Sequence, residues 1–433
     1  MTEIFLTIFF ITVLLFFLGS GIWVGLSMIG VSAIGMILFT SRPVGDAMAT
    51  TIWGTASSWT LTALPLFVWM GEILFRTKLS ENLFKGLSPW MQKLPGGLIH
   101  VNVVGCALFA AISGSSAATV ATVGKMSIPE LRKRNYPEKI LLGSLAGSGT
   151  LGLLIPPSII LIIYGVAVQE SIAKLFIAGI IPGIMIALIF MSYVIIWSLI
   201  NKKEMPVVLE EYSFFEKIKR SKQLLPVIIL ISSVIGSIYT GIATATEAAS
   251  LGVVGALLLS YFQKTLNFET FKSSLLGATK TSCMIAFILA GSTFLSLAMG
   301  FTGLPRNLAV WIQNMDLSPY VLIFVLMIFY IILGMFLDGI SAVVLTMAII
   351  EPMIRQAGFD MIWFGIFLVI VVEMAQITPP VGFNLFVLQG MTGRDILKVT
   401  KAALPFFFLM LLSIVILIIF PQIVTAPVNF MIQ

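Results

Sequence analysis

The sequence predicts an all-α protein that crosses a membrane many times, and three observations lead to this prediction. Of its 433 residues, 59% are hydrophobic and only 10% are charged, and the mean hydropathy is +1.08. An ordinary soluble domain carries roughly 25% charged residues. The apolar stretches are long enough for roughly ten spans of about 20 residues each, with two hairpins in addition. Two of the stretches are also interrupted by matching helix-breaking residues, which predicts an internal repeat.

The start of the chain, its cysteines and its charge exclude other classes of protein. Residues 4–18 are apolar without a preceding basic segment or a small-residue cleavage site, so we expect a first span rather than a removed signal peptide. Cys106 and Cys283 lie inside apolar stretches and predict two buried free thiols rather than a disulfide or metal framework. The net charge of +6 is concentrated in a few loops. Membrane topology explains such loops better than a nucleic-acid partner does.

The interruptions lie in residues 113–165 and 336–388, and they match at a fixed offset, because Pro352 follows Pro129 by 223 residues. The same offset relates a proline pair and a Gly/Ser-rich turn in each half: Pro156–Pro157 with Pro379–Pro380, and 113–116 with 337–339. Lipid cannot hydrogen-bond a freed backbone group, so protein, water or a ligand must satisfy each break. Corresponding breaks in two halves therefore predict a transporter site built from discontinuous helices.

The loop charges predict how each half enters the membrane. Lysine and arginine collect in five segments, which the positive-inside rule assigns to the cytoplasm: 76–93, 125–139, 202–222, 264–280 and 394–401. Residues 94–124 lie between two of these segments, so we expect a re-entrant hairpin that opens to the cytoplasm. Its counterpart at about 318–354 is flanked by Asp316 and Glu351 and should open to the outside. The two repeats are thus predicted to have inverted topology.

Six parts are expected along the chain, with the hydrophilic segment 201–222 as the boundary between the halves. Each half has scaffold and arm helices, followed by a transport element made of a re-entrant hairpin and a broken helix. The predicted order is first-half scaffold and arm helices at 1–93, first transport element at 94–168, connecting span and loop at 169–223, second-half scaffold and arm helices at 224–316, second transport element at 317–392, and a C-terminal span at 393–433.

The breaks suit a small cation together with an anionic substrate. Freed carbonyls and hydroxyls form a hard-oxygen cage that can replace the hydration shell of a cation. Half-helix N-termini at the same place offer free N–H groups to a carboxylate. The polar groups available at the tips and breaks are Ser113, Ser115, Ser116, Thr119, Thr150, Asp338, Ser341, Thr378 and Asn384. Because hydroxyls outnumber buried carboxylates there, we expect coupling to Na⁺ rather than to H⁺.

Acidic residues within apolar stretches are the most informative single residues. Inserting such a carboxylate costs about 2.5–3.5 kcal/mol, so Asp338 is a functional hypothesis: it would balance a bound Na⁺. It is equally suited to cap the second arm of its hairpin by accepting a bond from the N–H near Ser341. Glu247, in the stretch TATEAA, is expected to be a cap, whereas Glu373 is left open between a structural role and proton transfer. The single histidine, His100, is expected at the membrane interface.

The chain resembles the large membrane subunit of TRAP (tripartite ATP-independent periplasmic) transporters over essentially its whole length. The resemblance is carried by five stretches: SGSSAATVATVG at 113–124, GTLGLLIPPSIILIIYG at 149–165, TATEAA at 244–249, GMFLDGISAV at 334–343 and TPPVGFNLFVLQG at 378–390. It implies an elevator mechanism in the bacterial inner membrane, in which a transport domain carries substrate and Na⁺ past a scaffold. It also implies a small membrane subunit and a periplasmic binding protein as partners, and no cofactor besides Na⁺.

The family places its cation sites at the hairpin tips and helix breaks, which implies two sets of residues here. The first cation site would comprise Ser113, Ser115, Gly149 and Thr150, and the second Asp338, Gly339, Gln376 and Thr378. The substrate would contact the remaining residues of the tips and breaks: Ser116, Thr119, Pro156, Pro157, Ser341, Pro379, Pro380 and Asn384. A C4-dicarboxylate, a sialic acid or another organic acid would fit equally well. Arg306 is expected on the outer surface, where it would meet the binding protein.

Other functions are weighed against this one. A stand-alone Na⁺- or H⁺-coupled carrier of a related inverted-repeat family remains open. An intramembrane hydrolase using a serine of SGSS would need a base, and His100 has no orienting acid near it in the sequence. A passive channel would not require two antiparallel broken repeats. A pump driven by ATP would need a phosphate-binding loop, and no GxxxxGK[ST] occurs in the chain.

Overall fold

The structure is a computed structural model that describes residues 2–206, 212–303, 307, 310, 318–380 and 382–430. All regular secondary structure in these residues is helical. The helices of the first half are α1 (Thr2–Gly19), α2 (Val24–Phe39), α3 (Val44–Ala56), α4 (Ala63–Phe75), α5 (Leu79–Met91), α6 (Ile99–Ser113), α7 (Ser116–Lys133), α8 (Glu138–Gly149), α9 (Leu151–Leu154), α10 (Ile159–Val168) and α11 (Ile172–Ile200). Those of the second half are α12 (Phe214–Ser221), α13 (Leu225–Tyr239), α14 (Ala245–Phe262), α15 (Phe268–Thr302), α16 (Pro319–Gly334), α17 (Gly339–Gln356), α18 (Met361–Ala375), α19 (Phe383–Thr392), α20 (Ile396–Ile419) and α21 (Gln422–Asn429).

The helix bounds repeat at the same 223-residue offset that relates the prolines. Helix α7 corresponds to α17 at both ends, and α8 and α18 begin at equivalent residues, 138 and 361. Helices α1 and α2 correspond to α13 and α14. The bent pair α3–α4, whose axes differ by 52°, corresponds to the single 35-residue helix α15. The counterpart of α5 falls mostly outside the described residues.

Five of the described helices are long and apolar enough to cross a membrane, one of them the hairpin arm α17, and three bent pairs raise the number to as many as eight, so the roughly ten spans expected from the sequence stay a prediction. Four spans are single long helices (α11, α14, α15 and α20), and α8–α10 is a broken span bent by 41°. A hairpin returns to the side from which it enters, so it adds no crossing. The structure confirms the predicted all-α fold with several apolar helices, and the repeated helix bounds agree with the predicted internal repeat.

Both hairpins are built in the same way, with a capped second arm. In the first, α6 and α7 are joined at Gly114, whose φ of +56° favours glycine, and the Ser115 hydroxyl accepts a bond from the N–H of Ala118 at 3.4 Å. At the equivalent position of the second, Asp338 Oδ2 accepts a bond from the N–H of Ser341 at 3.2 Å. The capping role expected for Asp338 is therefore confirmed. The second arm of the first hairpin continues beyond residue 124, through Pro129, to Lys133.

Two ion-pair groups, which we call the foot clasps, hold the outer ends of the hairpins. Arg132 at the end of α7 pairs with Glu138 at 2.5 Å, and Glu138 also pairs with Arg394, after α19, at 2.7 Å. At the equivalent end of α17, Arg355 lies 3.5 Å from Glu170, which follows α10. Arg355 also donates to the carbonyl of Val168, the last residue of α10, at 2.9 Å. Each clasp therefore ties one hairpin to the end of the broken helix of the other repeat.

The predictions for Glu247 and the two cysteines can be compared with the structure. Glu247 caps α14, because Thr244 and Glu247 form reciprocal bonds of 2.8 and 3.3 Å. Cys106 is buried and free, as expected, but Cys283 is exposed, so the prediction of two buried thiols is wrong for it. An apolar stretch does not distinguish a face in contact with lipid from one in contact with protein. Arg306 and Asp316 lie outside the described residues.

Candidate functional site

The two hairpin tips lie against the two broken helices, close to their breaks. At the first tip, residues 113–116, close packing depends on glycine: a Cβ at Gly152 would lie 2.7 Å from both the Ser115 carbonyl and the Thr119 hydroxyl. At the second tip, residues 335–339, a Cβ at Gly339 would lie 2.8 Å from Val372 of α18. It would also lie within 3.6 Å of Leu153 and Ile160 in the first broken helix. The first tip thus contacts the first broken helix, and the second tip contacts both broken helices.

The first tip carries a compact group of hydroxyls. The Ser113 and Thr119 hydroxyls lie 2.7 Å apart. Both also lie within bonding distance of the Ser115 carbonyl, Ser113 at 3.2 Å and Thr119 at 2.8 Å. The structure therefore brings Ser113 and Ser115 of the predicted first cation site together with Thr119.

Beside these hydroxyls, Ser116 is the centre of a buried polar group that joins the two repeats. Its hydroxyl lies 2.8 Å from Glu373 Oε2 and 3.2 Å from the Gly149 carbonyl, and it accepts a bond from Asn384 Nδ2 at 3.1 Å. A hydroxyl has one proton to donate, and the Glu373 carboxylate is both closer and a stronger acceptor than the Gly149 carbonyl. Ser116 therefore donates to Glu373. Ser116, Glu373 and Asn384 are 4%, 1% and 0% exposed. We call Ser116, Gly149, Glu373 and Asn384 the Ser116 cluster.

Several polar atoms around this cluster have no hydrogen-bond partner among the described residues. They are Glu373 Oε1, Asn384 Oδ1, Gln376 Nε2 and Ser148 Oγ. A buried polar atom left without a partner costs about 1–3 kcal/mol. So many in one place are typical of a site completed by water, an ion or a ligand. The described residues hold no group of three or more His, Cys, Asp and Glu side chains suited to a metal ion. A cation at the tips and breaks would therefore depend mainly on neutral oxygens.

The second break directs backbone carbonyls toward one point. A Cβ at Gly382, where φ is +47°, would lie 2.9 Å from the Thr378 carbonyl and 3.2 Å from the Gln376 carbonyl. The Gln376 carbonyl also accepts a bond from the Asn384 N–H at 3.2 Å, whereas the Thr378 hydroxyl donates to Met374 of its own helix. Backbone oxygens, rather than the Thr378 side chain, are thus what this break offers.

The remaining predicted residues lie in different surroundings. The Thr150 hydroxyl donates to the Gly147 carbonyl at 2.6 Å and lies 3.6 Å from Met410 Sδ, so it faces α20 instead of the first tip. Ser341 is buried at the start of α17. The proline pairs differ in exposure: Pro156–Pro157 is buried and Pro379–Pro380 is exposed.

Glu373 is the residue whose role the sequence left undecided. The signal for it was present, since an acidic residue in an apolar helix one turn before a break is unusual. Its partner could not be predicted, because Ser116 lies 257 positions away in the chain. His100 is buried within the protein, and its Nε2 donates to the Pro95 carbonyl at 2.8 Å, at the foot of the first hairpin.

Comparison with known proteins relates the chain to one family. Residues 10–423 match the model of the DctM component of the tripartite ATP-independent periplasmic transporters. The chain is 32% identical to the C4-dicarboxylate TRAP transporter large permease protein of Pseudomonas aeruginosa, over 93% of this chain and 94% of the relative. It is 30% identical to the sialic acid TRAP transporter large permease protein of Vibrio cholerae, again over 93% and 94%.

Two further matches concern chain organisation and fold. A relative from Oleidesulfovibrio alaskensis, an isethionate TRAP transporter permease protein of the DctMQ type, is 30% identical, and the match covers 91% of this chain but 62% of the relative. The solved structure of the Alcanivorax borkumensis YdaH transporter matches with a TM-score of 0.64 at 13% identity, over 93% of this chain and 98% of the other. The second match shows similarity of fold alone.

Proposed function

Because this chain belongs to the TRAP transporter family as its large permease component, we propose that it imports an organic acid by Na⁺-coupled secondary transport. The observation that supports this proposal is the meeting of two hairpin tips with two broken helices. There the Gly149 carbonyl lies 3.2 Å from the Ser116 hydroxyl, and the Gln376 and Thr378 carbonyls lie together at the second break. Such oxygens suit Na⁺.

The two cation sites of the proposal follow the two tips. The first uses the Ser113 and Ser115 oxygens with the Gly149 carbonyl, and the second uses Asp338 with the carbonyls of the second break. The Thr150 hydroxyl, which bonds to its own helix, would contribute only after rotating. Asp338 would place a carboxylate among the ligands of the second cation, whereas the proposed ligands of the first are all neutral, so the two sites should differ in affinity for Na⁺.

The proposed substrate is a carboxylate, either a C4-dicarboxylate or a sialic-acid-type acid. The relatives from Pseudomonas aeruginosa and Vibrio cholerae are named for these two classes. Helices α7, α10, α17 and α19 begin at the tips and breaks, and helix N-termini attract a carboxylate. Ser116, Thr119, Ser341 and Asn384 would contribute their polar groups, and the two proline pairs would keep the N-termini apart.

The transport domain of the proposal comprises both hairpins and both broken helices, moving as an elevator against a scaffold of the other spans. Its partners would be a small membrane subunit and a periplasmic binding protein, in the bacterial inner membrane. The Oleidesulfovibrio relative is named DctMQ and is much longer than the region matched, which is consistent with a second membrane component.

Uptake by proteoliposomes tests the proposal. The protein is reconstituted with its small membrane subunit, the binding protein is supplied with radiolabelled substrate, and either a Na⁺ or a pH gradient is imposed. We expect uptake that follows the Na⁺ gradient and requires the binding protein. Uptake that follows pH and ignores Na⁺ would contradict Na⁺ coupling, and full uptake without either partner would identify a stand-alone carrier.

A further inference from the structure

One of the buried contacts that join the two halves of the site is made by Glu373, which lies outside both proposed cation sites. Glu373, in the last turn of α18, accepts the Ser116 hydroxyl at 2.8 Å. Ser116 begins the second arm of the first hairpin and lies 3.2 Å from the Gly149 carbonyl, a proposed ligand of the first cation. The Glu373 carbonyl in turn accepts the N–H of Gln376, a proposed ligand of the second, at 3.1 Å.

We propose that Glu373 is a positioning residue that couples the two cation sites, so that occupancy of one raises the affinity of the other. This inference rests on the proposed function, since it requires Na⁺ at both tips. Coupling between sites needs a physical connection with a different free energy in each state. Here the connection runs from the Gly149 carbonyl through Ser116 and the Glu373 side chain to the end of α18.

The connection works because the Gly149 carbonyl is both a proposed cation ligand and an acceptor within reach of the Ser116 hydroxyl. A cation at the first site draws on the Gly149 carbonyl, which competes with Glu373 for the single Ser116 proton. Removing that competition leaves Glu373 as the sole acceptor of the Ser116 proton, while Asn384 still donates to Ser116, and fixes the last turn of α18. The following carbonyls, those of Gln376 and Thr378, then need less ordering when the second cation binds. By linkage the effect is reciprocal.

The internal repeat provides a comparison for this argument. At the 223-residue offset, Glu373 corresponds to Thr150, Ser116 to Gly339 and Asn384 to Leu161. The Thr150 hydroxyl bonds to its own helix, and Gly339 packs against the apolar side chains of Val372, Leu153 and Ile160. If the contact between Ser116 and Glu373 served only to pack a hairpin against a broken helix, apolar side chains would suffice, as they do around Gly339. The carboxylate at position 373 is therefore an addition that packing does not require.

The test is the Na⁺ dependence of uptake at saturating substrate, measured with the complete reconstituted transporter. With two coupled sites the unmodified protein should give a Hill coefficient of about 2, the limit set by the number of sites. Glu373→Leu and Ser116→Ala should each lower it to about 1. Glu373→Gln keeps an acceptor for the Ser116 hydroxyl and should retain most of the cooperativity. The double variant should lose no more than either single one, because both remove the same contact.

A matched control is Ser144→Ala. Ser144 accepts a bond from Asn102 at 2.9 Å, so it also joins the first hairpin to a broken helix through a buried hydroxyl, but within one repeat. The Hill coefficient of the Ser144→Ala variant should equal that of the unmodified protein. Unchanged cooperativity in Ser116→Ala would overturn the coupling role even if Glu373→Leu failed to fold. A lack of Na⁺ dependence in the unmodified protein would instead overturn the proposed function, and the coupling with it.

Discussion

The two junctions between a hairpin tip and the broken helix of the other repeat have equivalent backbones and different chemistry. At one, Ser116 meets Glu373 and Asn384 in a buried hydrogen-bonded group. At the other, Gly339 meets Leu153 and Ile160, and no side chain of its own takes part. The adjoining breaks differ as well, since Pro156–Pro157 is buried and Pro379–Pro380 is exposed. A duplicated backbone can therefore carry different side-chain chemistry, since only the Ser116 junction is hydrogen-bonded.

The largest effect is expected where a tip packs on backbone. Gly152→Ala places a Cβ 2.7 Å from the Ser115 carbonyl, and neither that backbone group nor the buried Thr119 beside it can yield easily. Overpacking of this kind costs about 1–3 kcal/mol. We expect loss of most uptake and a lower unfolding temperature in detergent. Gly300→Ala is the control, because a Cβ there would meet nothing within 4 Å. Equal uptake by the two variants would show that the first tip is not seated as described.

A smaller effect is expected from removing the only charge that distinguishes the second tip from the first. Asp338→Asn keeps a side-chain oxygen to cap α17 but loses the negative charge proposed to balance Na⁺. A bond to a charged group contributes about 1.5–3 kcal/mol, so half-saturation by Na⁺ should rise about tenfold or more. Asp360→Asn makes the same change at the cap of α18, where Asp360 accepts the Trp363 N–H at 2.8 Å. A Na⁺ response equal in both variants would reduce Asp338 to a cap.

The smallest effect is expected at the foot clasps, which are partly exposed. Arg394→Ala removes one partner of Glu138, whose other partner, Arg132, remains. Exposed ion pairs contribute about 0–1 kcal/mol, so uptake should fall by less than about fivefold. The unfolding temperature should drop by a few degrees at most, and added salt should reduce the difference from the unmodified protein. Arg355→Ala tests the clasp of the other repeat in the same way. A loss as large as that of Gly152→Ala would show that the clasps, rather than the tips, hold the site together.

Much of the architecture was predictable because proline and charge act locally. The two proline pairs located the breaks, and the cationic loops indicated where the chain returns to the same side. The family predicted by resemblance is confirmed by comparison with known proteins, and the caps at Asp338 and Glu247 were expected from adjacent residues. Long-range contacts were not predictable, so neither the partner of Glu373 nor the rotation of Thr150 away from the first tip could be foreseen. The cation and substrate assignments remain predictions.

The unequal scaffold helices have a consequence for how the protein sits in lipid. Helix α15 has 35 residues, so at about 1.5 Å per residue it is roughly 50 Å long, against a hydrocarbon thickness of about 30 Å. Its first turns, with Glu269 and Lys272, must therefore stand in water, where Arg76, the residue after the neighbouring α4, donates to Ser273 at 3.0 Å. The equivalent stretch of the first repeat bends instead. A change in bilayer thickness would thus act on one continuous helix in the second repeat and on a bent helix pair in the first. Hydrophobic mismatch would therefore strain the two halves unequally.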